Sequence, residues 1–150
     1  MKLVAATASA CLVFGLALHL ARAADPQSDK DAIQGTWKMV SRETRGQSRD
    51  AEGSKMVFKG DHFQMIKDGD VKIEGTFRID PATKPRSIDM KVEKATDDVH
   101  VETKTSLGIY ELNGDDLRWC ADEPGHETRP TEFSSQAEGH MLVVLKREAK

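Results

Sequence analysis

From residue 35 onward, apolar and polar residues alternate in short runs separated by turn dipeptides. The segment VKIEGTFRI sets Val71, Ile73, Gly75, Phe77 and Ile79 on one face and Lys72, Glu74, Thr76 and Arg78 on the other. Strict period two predicts a half-buried β-strand, because successive strand side chains point to opposite faces. SIDMKVE repeats the pattern with Ile88, Met90 and Val92. TSLGIYEL and MLVVL (Met141 to Leu145) are apolar at both parities, so cover is expected on both faces of those strands.

The connections set the topology. Gly60-Asp61, Asp68-Gly69 and Asn113-Gly114 lie between apolar runs and predict hairpins, since glycine and asparagine accept the positive φ of such turns. DPATKP (Asp80 to Pro85) and ADEPGHETRP (Ala121 to Pro130) predict longer loops. Strands are expected at 35–43, 55–59, 62–67, 70–79, 86–93, 101–112, 115–121, 131–134 and 140–147. Ahead of them a polar stretch carries Asp29 and Asp31, either of which is placed to cap a short helical turn running into Gly35. The fold class expected is all-β: an antiparallel up-and-down barrel of 8–9 strands with a short N-terminal helical turn.

Parity then predicts what points inward. Trp37, Met39, Phe58, Met65, Ile73, Phe77, Ile88, Met90, Leu107, Ile109, Leu117, Trp119, Met141, Val143 and Leu145 fall on the inner faces. An eight-stranded barrel has room either for its own side chains or for one small ligand. Methionine suits both outcomes, filling gaps in a core or adapting to varied apolar guests. Ser41, Thr103 and Thr105 share the inward parity and are expected at a more polar mouth. The candidate ligand-contacting residues are Met39, Met65, Met90, Thr105, Trp119 and Met141. At the end of the last strand Arg147 shares the parity of Leu145, and its guanidinium can lie across the Trp37 indole as a cation–π lid. Lys146 takes that place if a bulge shifts the register. Gly35, Trp37, Lys146 and Arg147 are therefore the candidate closure residues, and a pocket is expected at the opposite end.

Residues 1–23 have the pattern of a secretory signal peptide. Lys2 supplies a minimal positive region, ACLVFGLALHLA is a short apolar run, and Ala21-Arg22-Ala23 fits a small-x-small cleavage site. The run is too short for a membrane span, and no span is expected after cleavage. Export to the periplasm, the cell envelope or the medium follows. Residues 24–33 then form a lead-in and 34–148 a single barrel domain. Losing Lys2 and Arg22 takes the formal charge from −3 to −5, and without a basic stripe a nucleic-acid partner is not expected. Losing Cys11 leaves Cys120 as the one thiol, so stability must come from the core and not from an internal disulfide. Nothing nearby in sequence would lower the pKa of that thiol, which is expected to be a half-buried strand residue.

The motifs Gln34-Gly35-Thr36-Trp37-Lys38, GTFRIDPATKPRSID (Gly75 through Asp89), LGIYELNGDDL (Leu107 through Leu117), RPTEF (Arg129 through Phe133) and LVVLKRE (Leu142 through Glu148) span nearly all of the mature chain. The opening Gly-x-Trp with a basic residue after the last apolar strand resembles the lipocalin and calycin superfamily. Taken together, the motifs are similar to those of a family of small exported bacterial domains of unknown function, expanded in planctomycetes. That resemblance implies a lipocalin-like barrel and brings no established activity. Trp119 stands where the family more usually has an aliphatic residue, which would alter a pocket more than the fold.

Candidate chemistry is sparse. His62, His100, His126 and His140 fall in four separate segments without metal-ligand spacing, so no metal site and no cofactor are expected. His100 and Glu102 lie two apart on one strand face, placed to share a metal with a third ligand from elsewhere or, the favoured reading, to form a solvated charged surface. No nucleophile elbow, phosphate loop or zinc-protease element is present. Arg129 and Glu132 of RPTEF form the remaining polar cluster. They are placed to bind a carboxylate or supply a catalytic acid, or else to pair with each other or with neighbouring strands and lock the long loop onto the rim. Three functions compete: a binding module for a small apolar or amphipathic molecule, a cell-envelope protein-interaction or inhibitor-type module without a small-molecule ligand, and an enzyme. The last is the weakest, because no catalytic constellation is visible.

Overall fold

The computed structural model describes residues 26–101 and 103–149. The expected signal peptide and the start of the lead-in lie outside them. A short helix, α1 (Pro26–Ala32), precedes nine strands: β1 (Gly35–Thr44), β2 (Gln47–Arg49), β3 (Ser54–Lys59), β4 (His62–Lys67), β5 (Asp70–Asp80), β6 (Ser87–Ala95), β7 (Thr105–Asn113), β8 (Asp116–Ala121) and β9 (Met141–Arg147). Neighbours from β3 to β9 pair antiparallel in sequence order, β1 pairs with β3 on one side, and β9 returns to β1 on the other. The result is an all-β, closed eight-stranded antiparallel barrel with β2 as an extra strand against the far half of β1.

Strand β2 was not predicted. Its three residues are all exposed and carry no alternation; the hairpin is made by Arg45 and Gly46, both at positive φ (52° and 69°). Conversely, no strand forms at 131–134. Three alternating residues are too few to distinguish a strand from a loop that buries one proline and packs one phenylalanine, which is what the chain does there.

The core is a cluster that includes Trp37, Met39, Met56, Phe58, Phe63, Phe77, Ile88, Met90, Tyr110, Leu117, Val143 and Leu145. Phe58 and Phe77 meet edge to face with ring centres 4.9 Å apart. Two residues before Phe77 on β5, Gly75 sits at a register shift between β5 and β6 where a Cβ would fall 1.9 Å from the carbonyl oxygen of Lys91. Only glycine permits that approach.

Two parity assignments change. In β7 the inward residues are Ser106, Gly108, Tyr110 and Leu112, because Ile88 and Met90 of β6 face Gly108 and Ser106. Leu107 and Ile109 thus lie on the outer face, where segment 122–140 returns over β7 and β8. Ile109 and Cys120 are buried there, the Cys120 thiol contacts the carbonyl of Ser134 at 3.4 Å, and the Arg118 guanidinium lies 4.1 Å from the Phe133 ring centre. Cys120 is fully rather than half covered, and that burial pushes its thiol up.

The second change lies in β1. A bulge between Met39 and Ser41 leaves Val40 on the surface at 55 % exposure and reverses the parity that follows. Ser41 pairs with the outward Val144, while Arg42 pairs with the inward Val143. Val71, which shares a face with Ile73 in the alternation, is 39 % exposed because it sits beyond a further shift between β4 and β5, at the hairpin tip.

Asp29 does not cap α1. It lies inside the helix and reaches across to Tyr110, whose hydroxyl donates to Asp29 Oδ2 at 2.6 Å, and to Arg86 Nη1 at 2.8 Å. Burial and the Asp29 carboxylate hold the Tyr110 hydroxyl far above its ordinary pKa, so it stays a donor. This buried triad pins the helix across one end of the barrel.

Candidate functional site

The two ends of the barrel differ in what closes them. At the end carrying α1, Trp37 is fully buried and its indole N–H donates to the carbonyl of Ile33 at 2.8 Å. Arg147, directly opposite on β9, lays its guanidinium 4.2 Å from the Trp37 ring centre. The same guanidinium donates to the carbonyls of Gln34 (2.8 Å) and Ala32 (2.6 Å) and to Asp115 (3.0 Å). Gly35, at φ +115°, brings the chain so close that a Cβ would stand 3.3 Å from Arg147 Nη1. Lys146 points outward with an exposed side chain and pairs with Asp116 at 3.5 Å. Arg147 alone thus makes the lid over Trp37.

The other end is open. A cavity of about 1280 Å³ runs inward from the segments at 45–53, 98–101 and 122–140. Its deeper wall is apolar, with Met56, Met65 and Ile73 in one row across β3, β4 and β5, and Phe63 and Met90 beside them. All five methionines after Met1 line it. Of the six residues expected to contact a ligand, Met39, Met65, Met90, Trp119 and Met141 border this cavity. Thr105 does not. It is exposed on the outer face opposite Lys91, the parity of β7 being the reverse of that expected.

Trp119 and Arg42 bring polar groups to an inner row of the barrel. On adjacent strands Trp119 faces Val143, and Val143 faces Arg42, so the three form one inward row across β8, β9 and β1. The indole of Trp119 lies over Gly108, where a Cβ would stand 2.8 Å from Nε1. Both Trp119 Nε1 and Arg42 Nε are buried and find no acceptor among the described residues. Leaving a buried donor unpaired costs about 1–3 kcal/mol, so two on one row call for an explanation. Arg42 was legible only through the bulge, which no alternation in the sequence announces.

Other charges around the mouth have partners. Lys67 pairs with Asp50 at 2.8 Å and Lys72 with Asp98 at 2.9 Å. Hydrogen bonds from Thr96 and Lys72 bring the Asp98 carboxyl down to about 2. The topology gathers His100, His126 and His140 at this mouth and leaves His62 at the other end, beside Asp61. Among the described residues no group of three or more ligating side chains is placed to hold a metal ion; Glu102, the neighbour considered for His100, lies outside them. Asp122 accepts from Thr128 Oγ1 (2.7 Å) and the Glu123 amide (2.8 Å), and contacts His126 Nδ1 at 3.0 Å. Burial raises its pKa, the hydrogen bonds together lower it by more, and the net shift is downward.

Arg129 and Glu132 do not meet each other. The Arg129 guanidinium reaches the carbonyl of Gly108 at 2.6 Å and Asp89 Oδ1 at 2.6 Å, the latter a close ion contact off hydrogen-bond angle. Glu132 is exposed. Arg129 thus ties the returning loop to β6 and β7 on the outside of the barrel, away from the cavity.

No helix among the described residues is long and apolar enough to cross a membrane. No family model matches the chain, and neither a curated protein nor a solved structure matches it.

Proposed function

We propose that this chain is an exported, lipocalin-like binding module that takes one small apolar or amphipathic molecule into the open end of its barrel. The observation that carries this reading is the cavity of about 1280 Å³ with its methionine-lined wall. Polarizable, unbranched side chains adapt to guests of varied shape, and pockets of this kind are where small ligands bind. The sealed far end supports it, since a barrel stopped at one end is a cup and not a channel. Export rests on the signal-like residues 1–23, and the likeness to the planctomycete-expanded family rests on the motifs from Gln34 to Glu148.

Titration of the purified chain with a neutral fluorescent naphthylamine tests the reading. Saturable uptake of one probe per chain is expected, with loss of about tenfold or more in affinity for Met65→Trp, which fills the cavity while circular dichroism reports an intact barrel. A folded wild-type protein that takes up no probe would overturn it.

A further inference from the structure

Among the described residues, aspartate and histidine pair at both ends of the barrel, and the two pairs are built differently. At the closed end His62 Nε2 lies 3.3 Å from Asp61, with the side chains 67 % and 65 % exposed. That is an ordinary surface contact, worth little. At the open end His126 Nδ1 lies 3.0 Å from Asp122 Oδ1, and there the carboxylate is 3 % exposed while the imidazole is 51 % exposed. A buried carboxylate behind a half-open imidazole is the arrangement that orients a histidine for proton transfer.

The chain fixes both partners. The Asp122 N–H donates to the carbonyl of Leu107 at 3.1 Å, and its own carbonyl accepts from Ser106 Oγ at 2.6 Å. Its carboxylate accepts from Thr128 Oγ1 at Oδ2 and from the Glu123 amide at Oδ1. Glu123-Pro124-Gly125-His126 then turns the chain back, and the His126 N–H returns to the carbonyl of Glu123 at 3.2 Å. Proline followed by glycine at φ +95° suits the two central positions of that turn. Gly139 closes over the pair, since a Cβ there would stand 3.2 Å from His126 Nδ1 and 3.4 Å from Cε1. The covered edge of the ring is thus the Nδ1 edge, and the exposed half is the side that carries Nε2. His126 lines the mouth of the cavity.

An ionised carboxylate takes the Nδ1–H as its hydrogen bond and leaves the Nε2 lone pair free to accept a proton. Resting on the binding reading above, we propose that the chain is also an esterase, with His126 as its general base and Asp122 as the positioning residue. Its substrate is an ester whose apolar acyl chain lies in the methionine-lined barrel, with the carbonyl at the mouth. His126 Nε2 takes a proton from a water molecule as the water oxygen bonds to the acyl carbon. The tetrahedral adduct then collapses: the bond to the alkoxy oxygen breaks, and the imidazolium gives its proton to the leaving alcohol. One water is consumed, one acid and one alcohol are released, and the histidine ends neutral.

Hydrolysis of para-nitrophenyl octanoate and acetate by the purified chain tests this. The octanoate is expected to exceed the acetate about tenfold or more in kcat/KM, because its tail is buried in the barrel. The naphthylamine probe should inhibit competitively, since probe and tail share that space. His126→Gln should lose about a hundredfold in kcat while KM and probe affinity stay as they are. Asp122→Asn, folded by circular dichroism, should lose kcat about tenfold with KM kept, because a residue that only held the loop would not single out kcat. A His126→Gln protein as active as wild type would overturn the esterase while the barrel remained a binding module. Equal kcat/KM for the two esters without inhibition by the probe would do the same, showing a reactive surface histidine only. An octanoyl group found on the protein by intact mass during turnover would overturn the attack by water. A wild-type protein that binds no probe and hydrolyses neither ester takes the binding reading down with it.

Discussion

The chain has two tryptophans, and the barrel sets one toward each end with an arginine on the same inner face. At the closed end each side-chain nitrogen of the pair has an acceptor: the Trp37 indole gives to Ile33, and Arg147 gives to Ala32, Gln34 and Asp115. At the open end, Trp119 Nε1 and Arg42 Nε are buried with nothing to give to among the described residues. The residue types are the same and the outcomes are opposite. A fully satisfied pair is fold, because each bond closes on the chain itself. An unsatisfied pair is a cost to the fold that no contact among the described residues offsets.

The largest effect that would break this comparison lies at the plug. Trp37→Ala removes a fully buried indole from the point where first and last strands join, and should cost about 3–5 kcal/mol. Trp119→Ala removes an indole that faces a cavity, so less packing is lost. Urea denaturation of the two proteins should put the Trp37 variant well below the Trp119 variant. Equal midpoints would mean that the two ends are not different in kind.

The closed end was legible in the sequence and the open end only in part. Trp37 lies before the bulge in β1, and Arg147 follows Val143 and Leu145 in steps of two, so the expected parity brought them together, with Lys146 as the alternative. Arg42 has the parity of a surface residue until the bulge at Val40 turns it inward, and a bulge is a backbone event with no periodic signature. In TSLGIYEL both parities are apolar, so period two could not choose between Ile109 and Tyr110. The buried bonds of Tyr110 to Asp29, from a segment 81 residues away, made the choice. Thr105 fell with it. Met65, Met90 and Trp119 were found because their strands had one apolar parity to follow, and Met56, of the same parity as Phe58, was there to be read.

A second comparison is between the two arginines. Arg147→Met takes donors from the carbonyls of Ala32 and Gln34 and uncovers the Trp37 face, which should cost roughly 1–3 kcal/mol. Arg42→Met removes a donor that had no partner and puts an apolar chain against an apolar wall. Its stability should be unchanged or raised, by up to about 1 kcal/mol. Chemical denaturation of the ligand-free proteins measures both. If Arg42→Met proved as damaging as Arg147→Met, its Nε would have to be serving the fold.

The smallest expected effect tests how the mouth is held. Asp122 sits with a side chain only 3 % exposed. Gly139 lets the returning loop pass so near that a Cβ there would stand 2.3 Å from the carboxylate. Burial alone would raise the pKa of this carboxyl, but bonds from Thr128, His126 and the Glu123 amide carry it below the ordinary aspartate value of 3.8. A carboxyl held low in the folded state contributes stability that is complete above that value and is lost as the pH falls through the lowered one. Asp122→Asn, which cannot titrate, should therefore melt below wild type at pH 6, by an amount on the order of 1 kcal/mol. That gap should close as the pH is taken below about 4. A gap that stayed constant down to pH 2.5, roughly a unit or more below the aspartate range, would show that the loop is held at the mouth by packing around Gly139 and not by the charge of Asp122.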